Sequence, residues 1–180
     1  TPPLWNAWME VLRSLPQAQL WQLSGGEQAD ARLRAAAGEC AERLVFMPPV
    51  GMDEHLARLQ QADLALDSWP CNGHTTTSDA LAAGVHVVTL ATGTFAGRVA
   101  ASILHAAGLD DCVTASVAGY VGRVCELGRD AEARAALRQR IAARPAALYD
   151  TPRFAGELEA LYERMWARTQ AGLAPAALPA

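Results

Sequence analysis

The chain has 180 residues, of which 51% are hydrophobic, and a formal net charge of −4 at pH 7. That length suits one domain able to bury its own core, and the slight acidity excludes a general nucleic-acid binder. All 15 cationic side chains are arginine, so lysine can serve neither as a phosphate clamp nor as a Schiff-base nucleophile. No apolar run is long enough to span a bilayer and no signal-peptide pattern occurs, so a cytoplasmic protein without a membrane partner is expected. Cys40, Cys71, Cys112 and Cys125 form no CxxC pair. They read as reduced buried thiols and not as a zinc or redox site.

Thr1-Pro2-Pro3 opens a helix, with a capping hydroxyl and proline in the first turn. Leu4, Trp8, Leu12 and Leu15 follow at helical spacing until Pro16. The first residue is not methionine, and a piece of a longer protein is expected. Leu20–Leu23 reads as a strand, followed by a Gly25-Gly26 turn that is only a weak phosphate-loop signal. Residues 30–41 read as a helix, 44–47 as a buried strand ended by Pro48-Pro49, and 53–62 as a helix. A third strand lies around Ala65, with a helix at 78–83, a strand at 86–90 and a helix at 95–107. A short fifth strand at 112–114 precedes helices at 117–127 and 130–143. Tyr149–Pro152 breaks the pattern. A last helix then carries Phe154, Leu158, Leu161, Met165 and Trp166 as an apolar stripe expected to face the core.

Strands alternate with helices and no tight hairpin joins two of them. The fold class is therefore α/β: a Rossmann-like, doubly wound parallel sheet with helices on both faces. Residues 1–148 should form that domain, 149–172 the closing helix, and 173–180 a loose tail. Ligands of such sheets sit beyond the carboxyl ends of the strands. Three stretches end there: Pro48–Met52, the turn around His74, and Ala91–Thr94.

The densest chemistry lies between Asp67 and Asp79, in the order Asp-Ser-Trp-Pro-Cys-Asn-Gly-His-Thr-Thr-Thr-Ser-Asp. A strand, a polar turn and a helix start meet there. Free N–H groups at a helix start attract anions. Gly73 permits close backbone approach, and His74, Thr75 and Thr76 add donors. Asp79, expected on the first helical turn, can accept from a diol such as a ribose. These residue types suit a nucleotide diphosphate better than a metal. Other readings stay open on the residues alone. His55 can be a solvated helix-face residue, Arg58 a partner of Glu54, and Asp79 a carboxylate favoured by the helix dipole. Thr75 and Thr76 can be caps. Arg98 can pair with a carboxylate or face a ligand. His86 and His105, each inside an apolar run, read as structural.

An ordered series resembles the carboxyl-terminal half of the catalytic region of the protein O-GlcNAc transferase family, which includes the plant SPINDLY-type enzymes. It comprises Arg43-Leu-Val-Phe, Glu54-His55 with Arg58, Ala62-Asp63 with Leu66-Asp67, and Cys71-Asn-Gly-His-Thr-Thr76 with Asp79. Ala83-Gly84, Val88-Thr89, Arg98–Ser102 and Leu158–Trp166 complete it. The resemblance implies the second domain of a GT-B glycosyltransferase, with the closing helix packing back on it. It also implies UDP-GlcNAc as donor, no cofactor and no metal. By analogy His74, Thr75 and Thr76 hold the diphosphate beside Gly73, and Asp79 holds the ribose hydroxyls. His55 lies against the uracil, Arg58 reaches its edge, and the chain near Val50 offers backbone groups to the base. No catalytic residue is assigned within these 180 residues. The general base, the acceptor-protein groove and the TPR repeats belong to the missing part, so the piece alone should bind weakly and not catalyse.

Two features depart from the family pattern. Met52 stands where the animal enzymes carry a lysine near the ribose, and the phosphate-binding lysine that precedes the first helix is not in this sequence. The competing functions are a SPINDLY-type fucosyltransferase using GDP-fucose, a non-catalytic nucleotide-binding module, and a GT-B-like epimerase. His74 and Asp79 argue against the first of these.

Overall fold

The computed structural model describes residues 1–143 and 148–178. Its strands are short and all parallel. β1 (Leu20–Leu23) pairs with β2 (Leu44–Met47), Trp21 lying opposite Val45. β3 (Leu64–Leu66), β4 (His86–Leu90) and β5 (Val113–Thr114) form a second sheet with β4 in the middle. Ala65 lies opposite Val87, and Leu90 opposite Thr114. The expected parallel α/β class is observed, with the strands in two sheets and not one.

Helices link the strands: α1 (Pro2–Ser14), α2 (Glu27–Ala37), α3 (Met52–Leu59), α4 (Thr75–Ala82), α5 (Val99–Ala106), α6 (Val117–Arg129) and α7 (Ala131–Ala143). α4, α5, α6 and α7 all pack against β4, which explains why each of its five residues is buried. A strand covered this way must be apolar on both faces, as His-Val-Val-Thr-Leu nearly is. His86 satisfies its burial by placing Nε2 2.9 Å from the Arg134 carbonyl. Its structural reading therefore holds. His105 is different: it is exposed and pairs with Asp110. The apolar run around it belongs to the buried face of α5, and position 105 falls on the other face.

Polar anchors fix the ends of α1. Arg43 donates to the Leu12 and Leu15 carbonyls at 2.6 and 3.0 Å, and Arg129 to that of Ser14 at 3.1 Å. These guanidinium groups satisfy carbonyls that a helix end leaves open. At the other end, the Thr1 hydroxyl makes no cap. It donates instead to the Trp69 carbonyl at 3.4 Å. A core of Met9, Leu12, Leu20, Ala37, Cys40 and Leu44 lies under α1. Trp8 continues it toward α6 by donating from Nε1 to the Tyr120 hydroxyl at 3.2 Å. Tyr120 is fully buried and meets Trp69 edge-on, with ring centroids 4.9 Å apart. Three cysteines are buried as expected, but Cys71 is exposed on the turn after β3.

The chain divides into two compact units, Thr1–Pro145 and Ala146–Ala180. The second contains α8 (Thr151–Gln170), capped by the Asp150 carboxylate on the Arg153 N–H. No residue of α8 is buried, and Phe154, Met165 and Trp166 are exposed. Within this second unit the stripe expected to be core therefore finds no core of its own. Helical spacing reports that a face is apolar, not what that face meets. Residues 173–178 have no regular structure, and the last two residues of the expected tail lie outside the described ones. Among the described residues no helix is long and apolar enough to cross a membrane.

Candidate functional site

Asp67 organises the turn that follows β3. It is only 6% exposed. Its Oδ1 accepts from the Gly73 N–H at 2.6 Å, and its Oδ2 from the Thr89 hydroxyl at 2.5 Å. Its N–H donates to Val88, and its carbonyl accepts from the Tyr120 hydroxyl at 3.0 Å. One residue thus ties the turn to β4 and α6. Burial pushes the Asp67 carboxyl above the usual carboxylate range, against the hydrogen bonds from Thr89, Gly73 and Ser68 and the nearby charge of His74.

A second set of bonds joins this turn to the loop after β4. The Asn72 side chain donates to Ser68 at 2.8 Å and to Leu90 at 3.5 Å, and its N–H donates to Ala96 at 2.9 Å. The Ser68 hydroxyl donates to the Cys71 carbonyl at 2.7 Å. Gly97 fits because a Cβ there would collide with the Thr92 side chain and lie 2.8 Å from the Pro70 carbonyl. The two loops therefore converge at the carboxyl ends of β3 and β4, as parallel-strand logic requires.

Gly73 hands the chain into α4. A Cβ at this position would stand 2.5 Å from Thr76 Oγ1 and 2.8 Å from Thr77 Oγ1. The three threonines then divide their roles. Thr77 is buried and donates to the Gly73 carbonyl at 2.9 Å, fixing the turn. Thr75 and Thr76 are exposed, as is His74 at the N-cap, which makes no side-chain cap. The first N–H groups of a helix have no acceptor within it. They sit here beside an exposed imidazole and two exposed hydroxyls, an arrangement suited to an anion. Asp79 is half-buried. Because α4 begins at Thr75, three residues earlier than predicted, Asp79 lies one turn further along, on the face shared with Thr75.

His55 and Arg58 occupy the half-buried side of α3, which packs beside α4. Arg58 donates to the Pro48 carbonyl at 2.9 Å and reaches Glu54 at 3.5 Å. It thereby holds the loop that contains half-buried Val50. The pairing alternative for Arg58 is thus observed, its partner being Glu54 one turn earlier. His55 and Arg58 also line a cavity of about 990 Å3 between β1 and β3, which His74, Thr75, Thr76 and Asp79 do not line. Among the described residues Arg98 pairs with no carboxylate, and it does not line that cavity. It donates to the Gly93 carbonyl at 2.6 Å.

Sequence reasoning did not single out Asp67, Asn72, Thr77, Thr89 or Tyr120 as parts of this site. The signal available was an aspartate closing an apolar strand six residues before a glycine. Its partner Thr89 lies 22 residues further along the chain, and no local pattern links them.

Residues 1–158 match the profile of glycosyl transferase family 41. The chain belongs to that family. The UDP-N-acetylglucosamine--peptide N-acetylglucosaminyltransferase of Caenorhabditis elegans is 33% identical over 177 residues, covering 96% of this chain and 15% of the relative. The probable enzyme of that name from Arabidopsis thaliana, SEC, is 33% identical over 171 residues, covering 92% of this chain and 18% of the relative. A solved structure, the Thermobaculum terrenum O-GlcNAc transferase mutant K341M, superposes with a TM-score of 0.85 at 34% identity. That match covers 90% of this chain and 33% of the other. The chain thus spans less than a fifth of these curated family 41 relatives and a third of the solved chain.

Proposed function

We propose that this chain is the UDP-sugar-binding half of a protein O-GlcNAc transferase, which moves N-acetylglucosamine from UDP-GlcNAc to Ser or Thr hydroxyls. The observation that carries the reading is the turn pinned by Asp67, which presents the start of α4 with His74, Thr75 and Thr76 exposed around it. The names of the family 41 relatives, UDP-N-acetylglucosamine--peptide N-acetylglucosaminyltransferases, support the same donor.

In this reading the sugar–phosphate bond breaks with negative charge gathering on the departing diphosphate. The α4 N–H groups, the Thr75 and Thr76 hydroxyls and the His74 imidazole are fixed donors aimed at that charge. Donors already in place lower the barrier without reorganising during the reaction, and one such donor contributes about 2–4 kcal/mol. These groups carry the charge stabilisation, and no metal or cofactor is assigned. Asp79 accepts from the ribose hydroxyls one helical turn away. His55 and Val50, on the neighbouring α3 and the loop that Arg58 holds, take the base. The acceptor protein and the general base are met outside these 180 residues.

Calorimetry of the complete encoded polypeptide with UDP and GDP, native and His74→Ala, tests this. UDP should bind more tightly than GDP, and His74→Ala should weaken UDP. Preference for GDP would favour a fucosyltransferase of the SPINDLY type. Unchanged UDP affinity in the variant would remove His74 from the site.

A further inference from the structure

The loop after β4 carries an exposed aromatic ring. Phe95 is 78% exposed, more than any other large apolar side chain among the described residues. A lone apolar residue on a surface needs no explanation in itself. This one is set apart by how firmly its loop is held. The Thr92 N–H donates to the Gly97 carbonyl at 2.7 Å, and the Gly97 N–H to the Thr94 hydroxyl at 3.1 Å. The Arg98 N–H donates to the Phe95 carbonyl at 3.0 Å, and its guanidinium to that of Gly93 at 2.6 Å. Residues 92–98 thus close on themselves with Phe95 in their midst. A side chain on such a preorganised loop meets a ligand without the ordering cost of a mobile one.

The same loop is fastened to the turn that enters α4. The Asn72 N–H donates to the Ala96 carbonyl at 2.9 Å, so the residue after Phe95 lies next to the one before Gly73. Pro70, also exposed, abuts the loop: a Cβ on Gly97 would lie 2.8 Å from its carbonyl. The packing of the helices fixes the side on which this happens. α4 packs against both α3 and α5, and Arg98 is the N-cap of α5. His55 and Val50 therefore stand on the α3 side of the α4 start, and Phe95 on the α5 side.

We propose that Phe95 is a specificity-determining residue for the sugar of the donor, its ring packing on the apolar face of the pyranose. The proposal deepens the donor-site reading and rests on it. A diphosphate gripped at the α4 start has two ends. His55 and Val50 take the nucleoside end on the α3 side. The sugar end then leaves toward the α5 side, where residues 92–98 form the wall. A hexopyranose is amphipathic: hydroxyls ring its edge and C–H groups cover its faces, and an N-acetyl group adds a methyl. An aromatic ring without a polar atom suits such a face and loses exposed apolar surface on contact. The site is thus divided by chemistry. His74, Thr75 and Thr76 offer donors to the anion, and Phe95 with Pro70 offers apolar surface to the sugar. Ligand sites commonly combine a few placed polar groups with aromatic lining in this way.

Calorimetry of the complete encoded polypeptide with UDP and with UDP-GlcNAc tests it, for native protein, Phe95→Ala and Phe95→Tyr. Phe95→Ala should weaken UDP-GlcNAc about two- to tenfold, the worth of one aromatic contact, and leave UDP unchanged. Its Tm should stay at the native value, because the ring is exposed. Phe95→Tyr keeps the ring and should restore the affinity for UDP-GlcNAc. A Phe95→Ala protein that binds UDP-GlcNAc as well as native would overturn the proposal. So would parallel losses for both ligands, or a loss confined to the KM of an acceptor polypeptide, which would make the acceptor the occupant. The two readings fail differently. If His74→Ala weakens UDP while Phe95→Ala changes nothing, only the sugar contact falls. If UDP affinity ignores His74, the donor site falls and the sugar contact with it.

Discussion

Replacing Asp67 by alanine removes the acceptor of two donors at once, the Gly73 N–H and the Thr89 hydroxyl, of which Thr89 is fully buried. An orphaned buried donor costs about 1–3 kcal/mol. The two belong to one network and do not add in full, so the expected loss is about 2–4 kcal/mol of unfolding free energy. For a domain of this size that lowers Tm by about 4–16 °C. Asp67→Asn is the control. Its amide oxygen still accepts from Gly73, and the Thr89 hydroxyl can rotate to accept from its NH2. A cost below about 1 kcal/mol is expected there. The pH dependence separates the two forms further. The folded carboxyl holds its proton to higher pH than the unfolded chain, because burial raises its pKa from the ordinary 3.8. Native stability from this group is greatest below 3.8 and declines as pH climbs through the folded value. Asp67→Asn lacks that decline. Urea denaturation across pH and UDP calorimetry read both effects. An alanine variant that unfolds within about 0.5 kcal/mol of the native protein, with unchanged UDP affinity, would refute the role given to Asp67.

Four other substitutions probe separate parts of the structure. Gly73→Ala forces a methyl group against Thr76 and Thr77. It should cost about 1–3 kcal/mol by overpacking and weaken UDP in calorimetry, because Thr76 must turn away. Tyr120→Phe leaves the Trp8 N–H and the Asp67 carbonyl without their partner. A loss of about 1–3 kcal/mol in thermal or urea unfolding is expected, and no loss would mean that neither bond stabilises the fold. Burial holds the His86 imidazole below its ordinary value of 6.5. Its contribution is present above 6.5 and is lost as pH falls toward the folded value, so His86→Gln should flatten the fall in Tm on acidification. Asp79→Asn should weaken uridine as well as UDP, and an effect confined to UDP would contradict the ribose assignment.

Strands were legible where punctuation bounded them. Leu44–Met47 and His86–Leu90 occur as expected, the first stopped by Pro48-Pro49 and the second entered from Gly84. Helix starts were less legible. Three consecutive threonines favour a turn on propensity, yet α4 starts at Thr75 because Asp67 and Thr77 fix the preceding backbone. Conversely, residues 95–98, expected to be helical, form the turn that meets Asn72 and Pro70, and α5 begins only at Val99. The sequence pattern places α2 at 30–41. It begins at Glu27 and stops at Ala37 because Gly38 takes a φ of 55°, and a 3-10 segment continues to Arg43. The exposed part of the candidate site, from His74 to Thr76, could be read from composition. Its buried support could not, because Thr89 and Tyr120 reach Asp67 only through the tertiary fold.

The measurement closest to the main proposal is the affinity gap between UDP and uridine in the complete encoded polypeptide, before and after Thr75→Val with Thr76→Val. If the start of α4 grips the pyrophosphate, native protein binds UDP well above uridine. The double variant should then lose about 1.5–3 kcal/mol of that advantage, the range for a hydrogen bond to a charged group, with uridine affinity unchanged. An undiminished gap, or an equal loss for both ligands, would place the pyrophosphate elsewhere.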